Sequence, residues 1–277
     1  MTKERALRFG RAQHLIGVAG LPAAAAPTGS VGIIVLNAGM VYRAGPFRLH
    51  VEITRRLNAC GYPTLRFDLS TLGDSGASNE SQSRAHQIRA DVADAMSLLA
   101  SHAGCTRFVL LGLCSGAQNA HIVTVDEPHV AGAIFLDGYA YRTLGFHLRH
   151  YLPRLRSAAR WHRFISRKLQ AAANQRGDDV FAVSFPPRNQ VQRELTAMLD
   201  RGLRLHFIYS GGVTRYFNHP RQFRECFGRL ADRPEISARL FGGTDHTYAL
   251  QVDRQRLLQD IEAWLQRNFP TYGGSTA

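Results

Sequence analysis

The feature that most constrains this chain is the stretch Phe108-Val109-Leu110-Leu111-Gly112-Leu113-Cys114-Ser115-Gly116-Ala117, an apolar run that enters a small–x–nucleophile–x–small pattern. A buried strand that turns at once into a helix holds the residue at the turn in a strained backbone conformation and presses the strand and helix backbones together. The flanking positions must therefore be small. Centred on Cys114, the flanks are Gly112 and Gly116; centred on Ser115 they are Leu113 and Ala117, and Leu113 would clash. Cys114 is the better nucleophile candidate, with Ser115 next in line and the Ser115 N–H as one oxyanion donor. The competing reading is a buried structural thiol, the common fate of a free cysteine.

Around this turn, short apolar runs alternate with amphipathic stretches, the mark of a parallel sheet covered by helices. Strands are expected at residues 31–36, 62–67, 108–111, 133–136, 203–209 and 236–241, after an antiparallel hairpin of residues 6–10 and 13–17. Helices are expected at residues 47–58, near 222–230 and from the loop at His246 to about 269, and Ile88, Val92, Met96 and Leu99 recur at helical spacing. With 277 residues and 45% hydrophobic content, the chain suits one domain with its own core. Cys60, Cys105 and Cys226 lack metal-ligand spacing and are expected to be inert. Scattered cysteines suit a reduced compartment. The apolar stretch 15–27 is short, contains Gly and Pro and follows Glu4, so a cytoplasmic chain is expected rather than a secreted one.

A cysteine nucleophile needs a base, and His246 stands in the loop Gly242-Gly243-Thr244-Asp245-His246-Thr247-Tyr248, after the last strand. An acid is sought after the strand 203–209, but that loop reads Ser210-Gly211-Gly212-Val213-Thr214-Arg215. Asp137, at the end of the preceding strand, keeps the order nucleophile, acid, base, and it also has a purely structural reading. Asn218 is a weaker choice, and Asp245 is poorly placed to orient its own neighbour. A thiol tolerates the gap, because it forms a thiolate–imidazolium pair with less help than a serine hydroxyl requires.

On these residues the chain resembles the α/β-hydrolase superfamily, and within it the small hydrolases associated with the exosortase A system of bacterial polysaccharide loci. The resemblance is carried by Leu21-Pro22, Ala38-Gly39 followed by Tyr42-Arg43-Ala44-Gly45, Leu65-Arg66-Phe67-Asp68 followed by Gly73-Asp74-Ser75, Gly112-Leu113-Cys114 followed by Gly116-Ala117, and Asp245-His246-Thr247. It implies an α/β fold with a mostly parallel eight-stranded sheet flanked by helices, spanning 1–277, with a helical lid at 140–201 inserted after the sixth strand. It also implies ester or thioester chemistry at Cys114 with His246, without cofactor or metal. The loop 37–41 corresponds to the oxyanion loop, so Gly39 or Met40 supplies the second donor. Two departures stand out: Ser115 replaces an aspartate frequent in that subfamily, and the acid after the seventh strand is missing. Asp68 reads as a strand-end cap, Asp74 and Ser75 as a loop at the rim of the site, and Tyr42 and Arg43 as lining the acyl pocket or packing under the lid.

Charge adds a last constraint. The net +13 is concentrated between residues 140 and 176, where nine basic residues, Arg156, Arg160 and Arg163 among them, occur with no Asp or Glu, leaving 25 basic against 21 acidic residues elsewhere. One reading is a solvated basic face over a core-facing stripe. The other is a lid that recruits an anionic partner delivering the acyl group: an acidic acyl carrier protein, a coenzyme A phosphate or an anionic membrane surface. No nucleic-acid motif accompanies the charge, so no nucleic-acid partner is expected. The function read from the sequence is net hydrolysis of an ester or thioester through an acyl-enzyme, with acyl transfer from a carrier thioester as the alternative and a catalytically degenerate binding module as the second.

Overall fold

The structure is a computed structural model and describes residues 3–23, 29–78, 83–155 and 185–271. Its eight strands are β1 (Lys3–Phe9), β2 (Leu15–Leu21), β3 (Val31–Leu36), β4 (Thr64–Asp68), β5 (Arg107–Leu113), β6 (Val130–Leu136), β7 (Arg204–Ser210) and β8 (Ile236–Phe241). They form one sheet in the order β1-β2-β4-β3-β5-β6-β7-β8. Both pairings of β2 are antiparallel, and from β4 to β8 every neighbouring pair is parallel.

Seven helices of the described residues connect the strands: α1 (Leu49–Ala59), α2 (Arg84–Ala103), α3 (Ser115–Thr124), α4 (Leu144–Leu155), α5 (Arg188–Asp200), α6 (Gln222–Phe227) and α7 (Gln251–Asn268). Alternate strand residues feed two cores, because successive side chains point to opposite faces of the sheet. Ile33 and Val35 pack with Leu49, Ile53 and Leu57 of α1 and with Leu257, Ile261 and Trp264 of α7. Ile34 and Leu36 pack on the other face with Ile88, Val92 and Leu99 of α2, Ala117 and Ala120 of α3, and Leu195 of α5. Helix α2 begins where the Ser83 side chain accepts the His86 N–H and ends at Gly104 in the left-handed region.

Several boundaries differ from the sequence expectation, for local reasons. The opening hairpin is longer than 6–10 and 13–17, because β2 is hydrogen-bonded on both sides, to β1 and to β4. Helix α1 starts at Leu49 rather than 47, since Phe47 and Arg48 both have positive φ (47° and 63°) and cannot continue a right-handed turn. The insertion between β6 and β7 contains α4 and α5; residues 156–184 within the expected lid, including Arg156, Arg160 and Arg163, lie outside the described residues. No helix among the described residues is long and apolar enough to cross a membrane.

Chain order reverses beside β3: the chain leaves it for β4 on one side and returns to β5 on the other. Such a reversal opens a crevice at the carboxyl ends of the two strands. Into it projects the turn from β5 to α3. A Cβ at Gly112 would lie 2.1 Å from the Gly116 carbonyl carbon, and one at Gly116 would lie 2.8 Å from the Asn37 oxygen. These neighbours are backbone and cannot swing aside. Gly112→Ala is expected to lose at least about 1–3 kcal/mol in urea denaturation, whereas Gly243→Ala, where a Cβ meets nothing within 4 Å, should stay within about 0.5 kcal/mol of the parent.

Candidate active site

Cys114 occupies the strained position of the turn, with φ 56° and ψ −118°. Its N–H donates to the Leu136 carbonyl of β6 (2.9 Å) and its carbonyl accepts the Ala117 and Gln118 N–H groups, so the backbone is tied on both sides. Ser115 is the first residue of α3, and its Oγ accepts the Gly39 N–H at 2.5 Å. Of the two registers the sequence allows, the structure therefore strains the one centred on Cys114. The Ser115 N–H lies in the first helical turn, where it has no acceptor within the helix.

The ends of β5, β6, β7 and β8 lie side by side and each supplies one piece of the site. Asp137 follows β6 with φ 53°, its side chain fully buried. Oδ1 accepts the Ser210 N–H (2.6 Å), and Oδ2 accepts the Ser210 hydroxyl (2.7 Å) and faces His246 Nδ1 at 2.6 Å. His246 is carried on the loop after the edge strand β8 and must cross the end of β7 to reach Asp137. Gly211 and Gly212 permit the crossing. A Cβ at Gly211 would sit 2.2 Å from the Gly242 oxygen, and one at Gly212 would sit 2.5 Å from the His246 nitrogen.

The imidazole thus lies between a carboxylate and the Cys114 thiol. The hydrogen bond to Asp137, followed by that to Cys114, outweighs the desolvation that opposes it and raises His246 from 6.5 to about 10. The ring is an imidazolium at neutral pH. That cation stands beside the sulfur of Cys114.

The other acid candidates are engaged elsewhere. Asp245 accepts the Thr247 and Ala249 N–H groups (2.8 and 3.0 Å) and stabilises the turn after the histidine. Asn218 accepts from Arg149 (3.3 Å) and donates to the Phe146 carbonyl (3.3 Å), both on α4. Two residues at the site escaped the sequence reading. Ser210 holds both oxygens of Asp137, and Tyr216 donates its hydroxyl to the Asp137 carbonyl (3.0 Å). Burial, with Asp137 and Cys114 nearby, raises the Tyr216 phenol and keeps it a donor. The only available signal was that Ser-Gly-Gly stands where an acid was sought.

In the loop after β3, Gly39 has φ 55° and its N–H is given to Ser115, while the Met40 side chain is 82% exposed. The loop is anchored by Arg43, whose N–H and guanidinium donate to the two oxygens of the fully buried Asp68 (both 2.5 Å) and whose guanidinium also meets Asp74 at 2.6 Å. Arg43 is thereby a clamp between the β3 and β4 loops. Ser75 completes it by donating to the Asp68 carbonyl (2.7 Å). Tyr42 remains half-exposed with the Arg43 guanidinium 5.9 Å from its ring. Away from the site, burial pushes the Cys60 thiol to about 11, helped by Glu262, and also raises Cys105 and Cys226. Among the described residues no group of three or more His, Cys, Asp or Glu side chains is arranged to hold a metal ion.

A scan against protein-family models found no match, and neither did a search of curated proteins. Solved structures do match over nearly the whole chain. They include an esterase of Pyrococcus furiosus (TM-score 0.61, 13% identity, 96% of this chain and 91% of that one) and the esterase domain of a Rhodothermus marinus protein (0.57, 17%, 96% and 99%). A dienelactone hydrolase of Anabaena variabilis is similar as well (TM-score 0.56, 12% identity, 97% of this chain and 99% of that one). Together with the eight-stranded sheet and the strained turn between β5 and α3, these likenesses show that the chain has the α/β-hydrolase fold.

Proposed function

We propose that this protein is a hydrolase of esters or thioesters that works through an acyl group carried on Cys114. The observation that carries the reading is the line Asp137–His246–Cys114, with a 2.6 Å contact between Asp137 and His246 and the thiol at the strained turn. Asp137 fixes the orientation of the imidazole and stabilises its charge, the task of the acid in a nucleophile–His–acid arrangement.

In the first half-reaction the Cys114 thiolate attacks the acyl carbonyl and the carbonyl π electrons move onto oxygen. The Ser115 N–H and the Met40 N–H receive that oxyanion. Gly39 has a different part, since its N–H is taken by Ser115 Oγ and holds the loop against the turn. Collapse of the tetrahedral intermediate expels the alcohol or thiol, which takes the proton of His246. In the second half-reaction the neutral imidazole removes a proton from water, the hydroxide displaces Cys114, and the thiolate–imidazolium pair is restored. An added thiol or hydroxyl acceptor can replace that water, giving acyl transfer; comparing products with and without acceptor separates the two outcomes.

Incubation with a panel of esters and thioesters, followed by intact-mass analysis, should show one acyl adduct that disappears in Cys114→Ala. Turnover should fall about a thousandfold or more in Cys114→Ala and His246→Ala. An unlabelled Cys114 in the parent protein would instead leave a binding module on a hydrolase scaffold.

The pH dependence follows from the raised His246. Leaving-group protonation needs the imidazolium, so kcat/KM should hold through neutral pH and fall as pH passes about 10. Asp137→Asn removes the main cause of the rise and should move that alkaline limb downward, toward the ordinary histidine value of about 6.5. An unmoved limb in the pH–rate profile would show that another group sets it.

A further inference from the structure

Ser210 is the last residue of β7, where the sequence offers no acid, and it is fully buried. Its Oγ accepts the Gly212 N–H (3.2 Å), so its own hydrogen goes to Asp137 Oδ2 (2.7 Å). Oδ2 thereby receives two hydrogen bonds, from Ser210 and from His246 Nδ1 (2.6 Å), while Oδ1 receives the Ser210 N–H (2.6 Å). Two donors on one oxygen compete, because each draws on the electron density that the other uses, and hydrogen bonds are electrostatically stronger where water is excluded. A hydroxyl carries no charge. It therefore changes the strength of the Asp137–His246 contact without changing the number of charges around it. The same turn also seats the histidine, since a Cβ at Gly212 would lie 2.6 Å from His246 Cβ.

Among the described residues, the other titratable and charged groups around this pair are identified element by element. Asp137 faces the imidazole from the end of β6 and Cys114 from the turn before α3. The segment after β7 brings Tyr216 and the exposed Arg215, and β7 itself brings Tyr209. Tyr248 and Asp245 belong to the histidine's own loop. Burial raises the phenols of Tyr209, Tyr216 and Tyr248, which stay protonated, and the Thr247 hydroxyl with the Thr247 and Ala249 N–H groups holds Asp245 low. Cys114 is coupled to the imidazole directly and is replaced in the measurement below.

We propose that Ser210 is a positioning residue acting through Asp137: its hydroxyl takes a share of Oδ2, holds the Asp137–His246 hydrogen bond below its full strength, and so lets the imidazolium release a proton from its other nitrogen to the leaving group. The leaving-group part of this statement rests on the hydrolase reading above. The effect on His246 does not, and it is measured without turnover.

The test is an NMR titration of the His246 ring in full-length Cys114→Ala, with and without Ser210→Ala, the signals being assigned with His246→Ala. Loss of the hydroxyl leaves Oδ2 to His246 alone, so the midpoint should rise by about half a pH unit or more and the Nδ1–H resonance should move downfield. Ser210→Thr, which keeps a hydroxyl, should stay near the Cys114→Ala values. Ser210→Cys, a weaker donor of similar size, should shift the midpoint in the same direction as alanine and serves if the alanine variant does not fold. A purely structural role predicts the opposite sign, because a displaced carboxylate supports the imidazolium less. An unchanged or lowered midpoint, or an equal rise in Ser210→Thr, overturns the proposal. With Cys114 in place, Ser210→Ala should lower kcat about twofold to fivefold with KM nearly unchanged; a raised midpoint with unchanged kcat overturns the leaving-group part. A raised midpoint in a protein whose parent forms no acyl adduct would retire the hydrolase reading and leave the effect of Ser210 on His246 in place.

Discussion

A carboxylate with no exposed surface must be paired, because an uncompensated charge inside a protein is strongly destabilising, by about 3–5 kcal/mol when a partner is removed. Asp137 is such a group, and the end of the sheet is arranged to satisfy it. Ser210 approaches from β7 with both its N–H and its hydroxyl, and His246 arrives from the far side of β8. The loop bearing that histidine can reach inward only because residues 211 and 212 have no side chains to obstruct it. One buried charge therefore organises two loops and positions the imidazole beside the thiol.

The second organising contact is between backbones. Gly112 and Gly116 let β5 and α3 approach until no Cβ fits between them, and Cys114 absorbs the resulting strain in its positive φ. Strain of this kind persists where surrounding contacts over-determine it. Here the Leu136 carbonyl holds the Cys114 N–H, and the Gly39 to Ser115 hydrogen bond fastens the β3 loop to the same turn. The Arg43 clamp on Asp68 and Asp74 then fixes that loop from its other end. The geometry around the thiol is set by hydrogen bonds from three different strand ends, which is why the site sits where the chain order reverses.

How much of this was legible in the sequence varies by residue. The elbow was readable because its constraint is local: five consecutive residues contain the whole steric argument, and only one register puts glycine at both flanks. His246 was readable from chain order, as the histidine in the loop that follows the last strand. Asp137 was readable only as one choice of acid, on the same chain order; Ser210, which holds it, was not, since 73 residues separate the two and no periodicity links positions that meet only when parallel strands are laid side by side. Asn218 and Asp245, the weaker choices on sequence, are each engaged by hydrogen bonds that join distant positions or close a local turn. The Arg43 contacts to Asp68 and Asp74 were likewise not legible, because they join loops 25 and 31 residues apart.

By itself the sequence determined the alternation of strands and helices, the strained turn and the identity of the residue placed on it, because those follow from side-chain size and period along neighbouring positions. Only the tertiary structure decided which acid faces the histidine and that the Gly39 N–H is already taken. Those are facts about which ends of a sheet come together. The strand order, set by crossovers rather than by any local stretch of chain, is what brings them there.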